Sequence, residues 1–167
     1  NTQDKADQLL DFINQEKEML TTSLATADDT PNIYLAGNSS LLSTAGPAMY
    51  QSGIIELAGG KNVASDISDT YWAEISYEQL LSWDPDYIIL ASDAEYTVDD
   101  VLSDPNLKDC TAVKNNHVYA IPGDIEALDS PVPASILASI WLAGILHPDQ
   151  VSTDTYTKEM NSFYETF

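Results

Sequence analysis

Glu74-Ile75-Ser76-Tyr77-Glu78-Gln79-Leu80-Leu81-Ser82-Trp83-Asp84-Pro85-Asp86-Tyr87-Ile88-Ile89-Leu90-Ala91 decides the fold of this chain. It reads as helix, turn and strand. The Ser76 side chain is suited to accept from the free backbone N–H groups that open a helix. Glu78 and Gln79 follow in its first turn, where negative charge meets the positive end of the helix dipole. Asp84-Pro85 stops the helix, because proline has no N–H to donate and disfavours helical geometry in the residue before it. Tyr87-Ile88-Ile89-Leu90-Ala91 is then an unbroken apolar run, the mark of a strand covered on both faces.

The same alternation extends outward. Upstream, residues 4–26 carry Ala6, Leu9, Leu10, Phe12, Ile13, Leu20 and Leu24 at largely helical spacing, with Asp7, Gln8, Asp11, Glu16, Lys17 and Glu18 as the polar face. Ile33-Tyr34-Leu35-Ala36 reads as a buried strand, followed by a loop of small polar residues from Gly37 to Pro47. Pro47 suits the first turn of a helix that runs to about Ala58 and stops at Gly59-Gly60. Val63-Ala64 is expected as a short strand. Downstream, Thr97 caps a short acidic helix, and Pro105 and Asn115-Asn116 mark loops. Val118-Tyr119-Ala120-Ile121 is a further strand, closed by Pro122-Gly123. Pro131 and Pro133 open a long apolar helix through Leu146, and residues 150–167 form a last amphipathic helix. Strands alternating with helices predict an α/β fold. The expectation is a Rossmann-like three-layer sandwich, with a mostly parallel, roughly four-stranded sheet covered by helices on both faces.

Length and composition bound the function. The 167 residues suffice for one domain with one core. Net charge is −21, from 27 acids against 6 lysines, with no arginine. Such a surface repels phosphate backbones, so no nucleic-acid partner is expected. Cys110 is the single cysteine, which excludes an internal disulfide and a cysteine-cluster metal site. No apolar run is long enough to span a bilayer. The chain opens on polar Asn1-Thr2-Gln3-Asp4, with no signal peptide or lipid-attachment cysteine; for an exported protein, those segments are expected upstream. Nucleophile elbows, phosphate-binding loops and Gly-x-Gly-x-x-Gly are missing, so no enzyme is expected. His117 and His147 are not at ligand spacing, and neither a metal site nor a cofactor is expected.

Glu56-Leu57-Ala58-Gly59-Gly60-Lys61-Asn62-Val63, then Trp72 ahead of Ile75-Ser76-Tyr77-Glu78-Gln79-Leu80-Leu81, then Asp84-Pro85-Asp86-Tyr87-Ile88-Ile89-Leu90, follow one another in a particular order. With Val118 to Gly123 and Asp129 to Pro148, this order resembles the solute-binding proteins that serve ABC importers of iron–siderophores, haem and vitamin B12. The resemblance covers about residues 30–167 and only the second of that family's two lobes. It implies that residues 1–167 are one domain, the C-terminal lobe of a two-lobe protein. Residues 1–28 would be the helix connecting from, or packing near, the absent N-terminal lobe. The implied partners are an iron-chelate, haem or corrinoid ligand, the permease subunits of the importer, and that other lobe. The implied location is extracytoplasmic, periplasmic or at the cell surface, with a lipid anchor in the full-length protein.

The resemblance also selects residues. Ligand contacts are expected from loops at the carboxyl ends of strands: Asn38 to Tyr50, Ser68 to Trp72, and Gly123 to Asp129. The ligand-binding candidates are Trp72, Tyr71, Tyr50, Asp124 and Glu126, with Trp72 foremost because a flat aromatic suits the face of a macrocycle or aryl chelator. Packing is the alternative for each aromatic, and a hard cation for the acids. Glu78 is the candidate for docking on the importer, with Glu74 its neighbour and competitor. The three loops contain neither arginine nor lysine, which favours a neutral or cationic ligand or a corrinoid. The alternative functions are a metal-chelatase-like or assembly enzyme lobe acting on a tetrapyrrole, and a non-catalytic interaction domain.

Overall fold

The structure, a computed structural model, describes residues 2–67 and 71–167. The elements in chain order are α1 (Thr2–Leu24), β1 (Asn32–Ala36), β2 (Ser43–Ala45), α2 (Tyr50–Leu57), β3 (Lys61–Asn62), a 3-10 turn (Val63–Asp66) and β4 (Trp72–Glu74). They continue with α3 (Tyr77–Trp83), β5 (Tyr87–Leu90), α4 (Val98–Leu102), α5 (Thr111–Lys114), β6 (Val118–Ala120), a second 3-10 turn (Pro133–Ser135), α6 (Ile136–Leu146) and α7 (Thr153–Thr166).

β3, β1, β5 and β6 run parallel, with β1 paired to β3 and β5, and β5 paired to β6. This is the expected Rossmann-like parallel core, but two more strands join it. β2 pairs antiparallel to β1 at Ala36 and Thr44, and β4 pairs antiparallel to β2. β2 and β3 therefore share one edge of β1. β3 takes its amino end, through Asn32 and Ile33, and β2 takes its carboxyl end. The segment expected as loop after β1 thus contains a strand, and Trp72 opens a strand. Val63-Ala64 forms the 3-10 turn after β3, one residue beyond the strand pairing, with the Asn62 side chain accepting from the Ala64 N–H. α2 begins three residues after Pro47 rather than at it.

Strand period 2 separates two cores. Ile33, Leu35 and Ile89 point to one, with α1, α2, α6 and α7 over them; Tyr34, Ala36, Ile88 and Leu90 point to the other, under α3, α4 and α5. Both faces are covered, which is why β1 and β5 read as unbroken apolar runs. α6 is apolar on every side because it is buried on every side: it packs against α1, α2 and α7 as well as carrying core residues such as Leu137 and Ile140. Each such side chain stabilises the fold by about 1.5–3 kcal/mol.

Capping fixes the helix ends. The Ser76 hydroxyl accepts from the Gln79 N–H at 3.2 Å, and Thr97 and Asp100 form a reciprocal capping box on α4. Asp84 closes α3 in the left-handed region, and its carboxylate accepts from the Thr111 N–H and hydroxyl at 2.7 and 2.8 Å. One expectation on α1 is corrected. Glu16 belongs not to a solvated face but to the buried contact with α7, where burial, reinforced by the Glu159 carboxylate and opposed by Lys158, raises its pKa. Residues 2–8 of α1, by contrast, are exposed throughout. No described helix is long and apolar enough to cross a membrane.

Candidate functional site

The sheet has a switch point. From β1 the chain leaves to α2 on one face; from its neighbour β5 it leaves to α4 and α5 on the other. The loops after β1 and β5 therefore splay apart, and a crevice opens at their carboxyl ends. A hollow of about 390 Å³ lies there, walled by Asn38 and Ser39 after β1, Asp93 after β5, and Trp72, Gln51 and Asp129 from farther along the chain. The two splayed loops are laced across. The Asn38 amide donates to the Asp93 carboxylate, the Glu95 N–H to the Asn38 carbonyl at 2.8 Å, and the Tyr96 hydroxyl to the Gly37 carbonyl at 2.6 Å. Burial raises the Tyr96 pKa, which keeps that hydroxyl a donor.

The antiparallel ribbon exists at this end of the sheet and presents Trp72. Ala45 opposes Trp72, Thr44 opposes Ala73 and Ser43 opposes Glu74. Ala73 and Thr44 turn into the protein, with the Thr44 hydroxyl on the Leu35 carbonyl at 2.7 Å. Trp72 and Glu74 turn out by the strand period. Trp72 is 39% exposed, and its ring rests on Gly37: a Cβ built there would stand 3.1 Å from the indole and 3.2 Å from the Ser43 carbonyl. Glycine at 37 thus lets backbone and indole approach closely.

Of the five ligand-binding candidates named from sequence, Trp72 alone lines this hollow. Tyr50 lines a neighbouring groove of about 680 Å³ between α1, α2 and residues 131–139, and its hydroxyl hydrogen-bonds the Ser135 hydroxyl. Tyr71 is 68% exposed, and its carbonyl accepts from the Gly46 N–H at 2.8 Å. Ser68, Asp69 and Thr70, expected in the same loop, lie outside the described residues. Asp124 and Glu126 border a third, smaller recess against α7, where the Tyr164 hydroxyl donates to Glu126 at 2.8 Å. Asp129 turns the opposite way. Its carboxylate accepts from the Ser92 hydroxyl at 2.5 Å and the Ser92 N–H at 3.2 Å, tying the segment after β6 to the loop after β5.

Asn38 and Asp129 lie in loops where ligand contacts were expected, without being among the five named candidates, whereas Gln51 and Asp93 are wall residues outside those loops. Three of them follow strand ends, a signal that was available. Gln51 is in helix α2, and only the fold brings it to Asp129, 78 residues away. Chemically the hollow offers one indole, two carboxylates, amides and hydroxyls, and no cationic side chain among its described lining. Among the described residues no group of three or more His, Cys, Asp or Glu is placed to hold a metal ion. His147 instead caps α6, with Nε2 3.1 Å from the Gly59 carbonyl, and His117 stacks on Tyr87. Glu78 stands in the first turn of α3, fully exposed. Its own backbone N–H and the Ser76 hydroxyl hold its carboxyl below the usual range, so it is anionic at neutral pH.

The family model described as periplasmic binding protein matches residues 1–125. The molybdate-binding protein MolA of Haemophilus influenzae is 26% identical over 166 residues, 98% of this chain and 46% of that protein. A cobalamin-binding protein of Halobacterium salinarum is 28% identical over 110 residues, 62% of this chain and 29% of that protein. Among solved structures, a periplasmic solute binding protein from Veillonella parvula superposes with a TM-score of 0.85 at 26% identity, covering 97% of this chain and 50% of that one. MolA bound to molybdate superposes with a TM-score of 0.83 at 27% identity, covering 96% of this chain and 49% of that one. The chain spans about half the length of the relatives it matches most fully. With residues 1–125 of its 167 under that family model, the chain belongs to the periplasmic binding protein family.

Proposed function

We propose that this chain is the C-terminal lobe of an extracytoplasmic solute-binding protein that delivers cargo to an ABC importer, with no catalytic step. The observation that carries the reading is the hollow at the β1–β5 switch point, with a half-exposed indole in its wall. A second lobe facing that hollow would enclose the cargo, and relatives of about twice this length support its existence. The exposed start of α1 is then the connection between lobes.

The lining narrows the cargo. Asp93 and Asp129 set a negative wall, and the chain as a whole carries −21. An oxyanion such as molybdate, the ligand of MolA, meets repulsion here that a neutral or cationic solute does not. We therefore favour a neutral or cationic iron complex or a corrinoid, stacked on Trp72. The likeness to a cobalamin-binding protein supports the second choice. Tyr71 stands beside Trp72 in sequence and is kept as a contact at the mouth. Tyr50, Asp124 and Glu126 face other recesses and are not part of this hollow.

Glu78 is proposed to dock on a basic patch of the importer. Its charge is ionised, exposed and held at a helix start, and such a rim charge sets orientation and encounter rate more than affinity. In the two-lobe protein, Glu78→Ala is expected to leave cargo affinity within about twofold while slowing transport about tenfold. Reconstituted uptake and equilibrium binding, measured on the same preparation, test this. Lost binding with normal transport contradicts it.

A further inference from the structure

Gln51 is 9% exposed, and its amide is half satisfied. Nε2 donates to the Asp129 carbonyl at 2.9 Å, while Oε1 is buried and finds no donor among the described residues. Turning the amide over does not remove the orphan. A carbonyl only accepts, so the NH₂ must face Asp129, and the oxygen is left on the other side. A buried acceptor without a donor is unfavourable, which is reason to expect a partner from outside the described residues. Gln51 lines the hollow.

No described neighbour reaches that oxygen. One N–H of the Asn38 amide goes to Asp93, the Ser92 hydroxyl and N–H go to Asp129, and the Ser39, Ser43 and Ser130 hydroxyls of the wall make no hydrogen bond to Oε1. The deep wall is therefore rich in acceptors: Gln51 Oε1 and the Asp93 and Asp129 carboxylates, beside the Trp72 face. We infer that Gln51 is a specificity-determining residue whose Oε1 receives a hydrogen bond from an N–H or O–H donor on the rim of the cargo. The inference rests on the hollow being the cargo site and goes on to name the chemistry of the group that enters it. Solutes edged with carboxamides or coordinated amines fit; solutes edged only with acceptors, such as molybdate, do not.

The test uses the two-lobe protein and two probes, cobinamide with its carboxamide rim and molybdate with none. Wild type is expected to bind cobinamide and to bind molybdate at least 100-fold more weakly, about 2.7 kcal/mol. Gln51→Met, close in shape but without the acceptor, is expected to lower cobinamide affinity about tenfold. Gln51→Lys keeps a donor for the Asp129 carbonyl but has no acceptor, and is expected to lose affinity about as much as Gln51→Met, which separates loss of the acceptor from loss of the tie to Asp129. Thermal melts confirm that both variants are folded. Unchanged cobinamide binding in Gln51→Met, with binding lost in Trp72→Ala, overturns the role of Gln51 and leaves the hollow as the cargo site. Molybdate bound more tightly than cobinamide, or no cobinamide binding in wild type, overturns the donor-edged cargo. Binding indifferent to both substitutions overturns the hollow itself.

Discussion

Replacing Trp72 by alanine in the two-lobe protein is expected to lower cargo affinity by about 30- to 150-fold, the loss of about 2–3 kcal/mol that truncating a central aromatic contact carries. The fold tolerates the change. Trp72 is 39% exposed, stands at the first position of a three-residue strand and packs on Gly37 from outside the two cores. The melting temperature is expected to fall by less than about 4 °C, because less than about 1 kcal/mol is at stake in a chain of this size. Trp72→Phe keeps a flat ring and most of the affinity. Intrinsic fluorescence titration checks all three proteins. An alanine variant that binds as wild type removes the indole from the site.

Gly59→Ala is expected to destabilise the lobe markedly. Gly59 follows α2 with φ of +81°, a conformation that costs an L-residue about 1–2 kcal/mol. The added Cβ would also stand 2.7 Å from Nε2 of His147, which is 3% exposed and bonded to the Gly59 carbonyl. Moving that ring breaks the hydrogen bond, for about 1 kcal/mol more. The sum is about 2–3 kcal/mol, or a melting temperature lower by about 4–12 °C. Gly53, within α2, gives the control. A Cβ there meets nothing within 4 Å, so Gly53→Ala is expected to stabilise by about 0.5–1 kcal/mol. Calorimetry on the three proteins distinguishes strain at one glycine from a general intolerance of α2. Equal melting of Gly59→Ala and wild type contradicts the His147 clash.

The parallel core was legible because its causes are local. Residues 33–36 and 87–91 are apolar without a break, since β1 and β5 have helices on both sides. The ends of α3 and α4 were legible for the same reason: Ser76 and Thr97 cap within three residues of themselves. The antiparallel ribbon had no such signature. Ser43-Thr44-Ala45 and Trp72-Ala73-Glu74 are three residues each and mixed in character, and they become strands only because β1 offers a free edge beyond the reach of β3. Glu16 misled for a related reason. Helical spacing placed it beside charged neighbours, and only the packing of α7 buries it.

The position of the hollow was legible in outline. Strand ends predicted where the hollow would open, and Trp72 was marked out by its place ahead of Ser76. The acids between 124 and 129 looked like one group in sequence. The buried Leu128 anchors the segment, Glu126 turns toward Tyr164, and Asp129 turns toward Ser92, so proximity along the chain did not become proximity in space. Gln51 carried no sequence signal, because its meaning lies in an unfilled acceptor that exists only once α2 packs beside Asp129.

In the proposed function this lobe holds one side of its cargo and a second lobe holds the other. The affinity of one cargo, cobinamide, for the 167-residue chain and for the two-lobe protein measures that claim directly. The single lobe is expected to bind about 100-fold more weakly or worse, a loss of about 2.7 kcal/mol or more with half of the enclosing surface missing. Equal affinity in the two proteins contradicts it.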